Sequence, residues 1–160
     1  MNTAHLHLIL NHIPVLGTLT GLGLLSFALW KQSEEVKRTA LGLLVITALL
    51  AVPAFLTGEP AEGVVRALPG VSQPIIEQHE EAAQGAFVAL CCLGAVALAG
   101  LLWFRRGRVM PAWFGAVTLI GSLVVGGWMA WTANLGGQVR HSEIRSAGQA
   151  QADHAERPSR

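Results

Sequence analysis

Four stretches of this 160-residue chain contain no Asp, Glu, Lys or Arg: residues 1–30, 39–58, 82–104 and 109–139. A helix needs roughly 20 residues to cross a hydrocarbon core, and each stretch is long enough. Charged residues make up only 13 % of the chain, against about 25 % in an ordinary soluble domain. That is too little charge to clothe a water-facing surface. The formal net charge of +1 leaves no basic face for nucleic acid. The expected fold is therefore all-α: an integral membrane four-helix bundle over residues 1–145, followed by a mobile tail over 146–160. The spans fall at about 4–30, 39–57, 74–104 and 111–135.

Local signals punctuate these spans. Pro14 lies inside the first and denies the Leu10 carbonyl its helical donor, which predicts a kink or helix start between Asn11 and Pro14. The charged run KQSEEVKR, residues 31–38, closes the first span. Gly58 and Pro60 stop the second and open a loop over 59–70. Pro74 sits near the first helical position of the third, whose opening turns, with Glu77, Glu80 and Glu81, project from the bilayer. The basic run at 105–108 ends that helix, and Gly136 and Gly137 read as a glycine stop after the fourth. Cys91 and Cys92 are neighbours inside the third apolar stretch with no CxxC pattern, and read as small apolar filler. No Lys or Arg precedes Lys31, so no cleavable leader pattern is expected.

Charge sets the sidedness. The two short loops at 31–38 and 105–108 hold six of the eleven basic residues, which places them in the cytoplasm and both termini in the periplasm. Trp30, Trp103 and Trp113 then fall at the inner boundary, with Trp128 and Trp131 near the outer one. All six histidines and most of the acids lie on the outer side in this arrangement.

Imidazoles and carboxylates are the ligands that copper, zinc and iron take. His5 and His12 are two helical turns apart and share a face, whereas His7 points away from both. His12, beside Asn11, lies below the headgroups, where an ionisable residue is a functional candidate by default. His5 and His7 read more simply as interfacial anchors. His79 lies centrally on the apolar stripe of Ile75, Ile76, Ala82, Ala83 and Ala86, so it should face the bundle. His141 returns toward the bundle mouth if the glycine turn folds back. Glu59 and Glu80 are further ligands or orienting partners, although each could equally be a solvated helix-end acid. Gly17 and Gly21 form a close-packing GxxxG that could also make room for a porphyrin. No nucleotide loop, nucleophile triad or HExxH occurs. The absence of mid-span charge argues against a proton pump or ion-coupled carrier.

The segments LHLILNHIPVLG, LTGEPAEGVVRALPGVSQPIIEQHEEAA and WTANLGGQVRH together resemble a family of small four-span bacterial membrane proteins. The resemblance covers nearly the whole chain outside the tail. It implies four helices and a bacterial inner-membrane location, but no activity, so no functional residue follows from it.

The residues themselves lead to a multi-pass protein with a periplasmic His/Glu cluster that binds a b-type haem or a transition metal (Cu, Zn or Fe). His12 and His79 are the expected ligands, with His5 and His141 next and Glu59 and Glu80 in support. Electron transfer beside a quinone or within a larger membrane redox complex would follow. Two rivals stand beside this: a cofactor-free accessory subunit, and a copper- or zinc-handling protein. An oligomer is compatible with this arrangement. Reporter fusions after Arg38 and at Arg160 should report opposite sides of the membrane; equal sidedness rejects the orientation.

Overall fold

The computed structural model describes residues 2–105 and 107–145, and every regular element among them is helical. The expected tail at 146–160, with His154, lies outside the described residues, as does Arg106. In chain order the helices are α1 (Thr3–Leu10), α2 (His12–Lys31), α3 (Glu34–Leu56), α4 (Gly58–Val65), α5 (Gln73–Trp103) and α6 (Ala112–Arg140), then a 3₁₀ turn at Ser142–Ile144. Helices α1–α2, α3–α4, α5 and α6 form four rods long and apolar enough to cross a membrane, as in a multi-pass membrane protein. The break in the first rod falls at Asn11, three residues before Pro14, where the missing proline donor leads one to expect it.

Two expectations about loops need correcting. Residues 34–38 form the first turn of α3, because Ser33 caps it by accepting from the Val36 amide at 3.3 Å and Glu34 and Glu35 suit the positive helix terminus. Residues 58–65 form a helix where turn residues predict a loop. Pro60 is tolerated there because first-turn amides need no helical acceptor, and Glu62 pairs with Arg66 one turn later. In addition, α6 runs through Gly136 and Gly137 to Arg140. Gly136 serves a close contact rather than a stop.

The four rods close into a ring in which α2 packs on α3, α3 on α5, α5 on α6 and α6 back on α2. The inward residues recur every three or four positions. On α2 they are Pro14, Thr18, Gly21, Leu25 and Ala28, and on α6 Gly115, Thr118, Ser122, Val125, Met129 and Thr132. A repeat averaging 3.5 keeps one seam facing its neighbours along the whole length. Buried hydroxyls are satisfied within their own helices: Thr18 donates to the Pro14 carbonyl at 2.7 Å and Ser122 to the Thr118 carbonyl at 2.8 Å.

Glycine brings the backbones together. A Cβ on Gly17 would collide with the Thr47 side chain, and one on Gly21 would lie 2.6 Å from Leu44 Cδ2. Gly94 faces the Ala48 methyl and Gly100 the Phe114 ring in the same way. These small residues are thus taken up by contacts between helices.

The end of the bundle that carries the basic loops is tied across the chain. Glu34 accepts from the Lys37 ammonium at 2.7 Å and from the Met110 amide at 2.9 Å. Arg38 donates to the Phe104 carbonyl and, at 2.9 Å, to the Arg108 carbonyl. These bonds seat the α5–α6 connection on the start of α3.

Gly17→Ala should destabilise the bundle by about 1–3 kcal/mol, because the Thr47 Cβ cannot rotate away from the added methyl. Gly23→Ala has open space around it and should be neutral or stabilising by about 0.5–1 kcal/mol through helix propensity. Thermal unfolding in detergent measures both, and the opposite signs are the expected result.

Candidate functional site

Three imidazoles at the end opposite the basic loops share one arrangement. The Nδ1 of His7 lies 3.1 Å from the Ala54 carbonyl and 3.2 Å from Thr57 Oγ1; that of His12 lies 2.7 Å from the Leu8 carbonyl; that of His79 lies 3.0 Å from the Thr132 carbonyl. A carbonyl oxygen can only accept, so in each ring Nδ1 carries the proton and donates it. In its neutral form each ring then presents an unprotonated Nε2.

The carbonyls come from identifiable features of the chain. Ala54 is in the last turn of α3, where helical carbonyls run out of amide partners. Thr57 Oγ1 donates to the same region, 2.9 Å from Ala54 O. The His7 ring also lies against Gly58, whose added Cβ would be 3.7 Å from Cε1. Leu8 is in the last turn of α1 before the Asn11 break, so the His12 ring at the start of α2 folds back onto the end of α1. His79 reaches across to α6 because Gly136 has no side chain: a Cβ there would lie 3.0 Å from His79 Cε1.

The inward imidazole of the first rod is therefore His7. It is half-buried, while His5 and His12 are exposed. His79 is half-buried as expected from its apolar stripe, and it lies within electrostatic range of His7 and Glu62. Glu62, with its side chain 14 % exposed, holds an ion pair with Arg66. His7, Thr57, Glu62 and His79 thus form the polar focus of this end, drawn from α1, the α3–α4 junction, α4 and α5. Near the same end Asn11 Oδ1 and Gln138 Oε1 are buried without a partner among the described residues.

The other expected site residues are dispersed. His5 is exposed, and its amide rather than its ring is engaged, donating to the Asn2 side chain at 2.9 Å. Glu59 and Glu80 are exposed. His141 pairs with Glu143 at 2.9 Å on the surface. Hydrogen bonding to its own backbone and to His141 holds the Glu143 carboxyl below its ordinary value. Among the described residues no three His, Cys, Asp or Glu side chains gather in a group able to hold a metal ion. Pro14 and Gly21 are buried on the seam of α2, where they shape and pack the helix.

The sequence reads His7 as an interfacial anchor and Gly136 as a helix stop, whereas the structure turns the first inward and sets the second against the His79 ring. A signal for His7 exists: the seam of α2 (Ala28, Leu25, Gly21, Thr18, Pro14) continues backwards with the same alternation of three and four to Asn11 and His7. Pairing His5 with His12 by their seven-residue spacing selected the outward face instead.

No family model, curated protein or solved structure matches the chain.

Gly136→Val should push the His79 ring away from α6 and break its bond to the Thr132 carbonyl. In ¹⁵N-histidine NMR the wild-type His79 should appear as the Nδ1–H tautomer. The variant should show tautomer exchange at that ring, while His12 keeps its signal.

Proposed function

We propose that this protein crosses the bacterial inner membrane four times with both termini periplasmic and holds a b-type haem at its histidine end, for electron transfer to a quinone or within a larger membrane redox complex. The observation that carries this reading is the shared arrangement of His7, His12 and His79: Nδ1–H donated to a carbonyl, Nε2 left as a free donor of electrons. Histidines that ligate metals are oriented in this way, since the second nitrogen fixes both tautomer and ring plane.

The number of ligands favours haem over copper or zinc. A b-type haem would need no more than two imidazoles from the protein, whereas a zinc site takes three or four protein donors, and no such group gathers among the described residues. His79 is one expected ligand and an imidazole of the first rod the other, His7 or His12. The packed glycine seams favour the end of the bundle over the space between the spans for a haem. When bound, haem supplies one-electron chemistry. The protein's own part is to hold the imidazoles, to keep a largely buried carboxylate at Glu62 near positive charge, and to limit water.

The second reading, a cofactor-free accessory subunit, draws on the same bonds. His7 ties α1 to the end of α3 and His79 ties α5 to α6, so both rings could serve as structural staples.

An absorption spectrum of the protein purified from membranes of haem-replete cells separates the two. A Soret band lost in His79→Ala, and in either His7→Ala or His12→Ala, supports haem and identifies the first-rod ligand. A wild-type sample with no Soret band overturns it and leaves the accessory reading. Metal analysis of the same sample tests copper or zinc handling.

A further inference from the structure

The end of the bundle with the basic loops carries a feature that the histidine end does not use. A depression in the surface is lined by Leu102 and Trp103 from the last turn of α5 and by Arg105 and Arg108 from the connection to α6. Its two walls differ in chemistry. Leu102 and Trp103 are 56 % and 71 % exposed, an apolar wall continuous with the outer surface of α5. Arg105 and Arg108 are exposed, and neither guanidinium has an acidic partner among the described residues.

Three charges at this end, Glu34, Lys37 and Arg38, are already committed. Glu34 is occupied by Lys37 and the Met110 amide. Arg38 donates to the Phe104 and Arg108 carbonyls, which offsets the negative end of α5 that would otherwise repel an anion here. Two free guanidiniums therefore sit beside an apolar wall. Trp30, Trp103 and Trp113, all strongly exposed at this end, mark the depth at which lipid headgroups meet acyl chains.

We propose that this depression binds an anionic phospholipid, with the phosphate on Arg105 and Arg108 and an acyl chain along Leu102 and Trp103. Guanidinium matches phosphate oxygens through paired N–H donors, and basic pockets at helix ends select anionic headgroups in this way. The apolar wall distinguishes a lipid from free phosphate, which has nothing to place against Trp103. The inference is independent of whether haem is bound at the far end, and of which leaflet this end faces.

Native mass spectrometry of the full-length protein in detergent tests it, with dioleoyl phosphatidylglycerol and dioleoyl phosphatidylcholine added at equal ratios. The glycerol lipid should be retained about tenfold better. Arg105→Gln/Arg108→Gln should bring its retention down to the choline level, with Arg108→Gln alone intermediate and all melting temperatures unchanged. Lys31→Gln, which alters a charge stacked on Trp30 outside the depression, should retain the lipid as the wild type does. Excess inorganic phosphate should leave the lipid bound. Equal retention of the two lipids, equal loss in Lys31→Gln, or displacement by inorganic phosphate overturns the proposal.

Discussion

In lipid an apolar side chain gains little by leaving the acyl chains for a neighbouring helix, so close approach of backbones must supply what burial supplies in water. Glycine makes that approach here. Gly17 and Gly21 let α2 settle on α3 against Thr47 and Leu44, Gly94 and Gly100 do so for α5, and Gly115 accepts Leu29. Because these glycines recur along seams of three-and-four spacing, contact is maintained over the whole length of the rods. The positions of all other groups, including both polar ends, depend on that registration.

The two ends are closed by different chemistry. At the basic end, side chains bond to backbone: Glu34 to the Met110 amide, and Arg38 to the Phe104 and Arg108 carbonyls. At the histidine end His7 and His12 bond to carbonyls beside helix breaks, and His79 bonds to the Thr132 carbonyl inside α6. The breaks at Asn11 and Thr57 make this end. Each splits a rod into a long span and a one-to-two-turn cap, and the caps α1 and α4 pack on one another. Arg140 and Arg145 fasten the 66–72 connection by donating to the Pro69 carbonyl at 3.4 Å and the Gly70 carbonyl at 3.0 Å. A capped, polar end over an apolar bundle is what both functional readings share.

His79 was legible in the sequence because its helix is continuous from Gln73: a helical wheel drawn from the sequence remains true when the chain is straight. His7 was not, although it lies on an equally regular seam. The seven-residue spacing of His5 and His12 points to the other face, and only the row of small residues from Pro14 to Ala28 marks which face of this almost uniformly apolar helix is buried. Uniform hydrophobicity removes the contrast between faces on which amphipathic reasoning depends. The same weakness hid α4, where Gly, Pro and Glu suggest a loop until Ala61 finds a surface to bury against.

Absence of charge over four long stretches determined that the chain is helical and has four rods, because a backbone in hydrocarbon must satisfy its own hydrogen bonds. Proline determined where the first rod breaks. Only the tertiary structure decided what the glycines do and which imidazoles turn inward. Gly136 resembles a helix stop in the sequence, yet α6 continues one turn past it and it lies against the His79 ring, since the need for its missing side chain arises only when α5 lies against α6. The carbonyls of Ala54 and Thr132 likewise belong to helices distant in sequence from the rings they meet. A short-range pattern can state that a residue is polar and deep; which acceptor it finds there is a property of the assembled bundle.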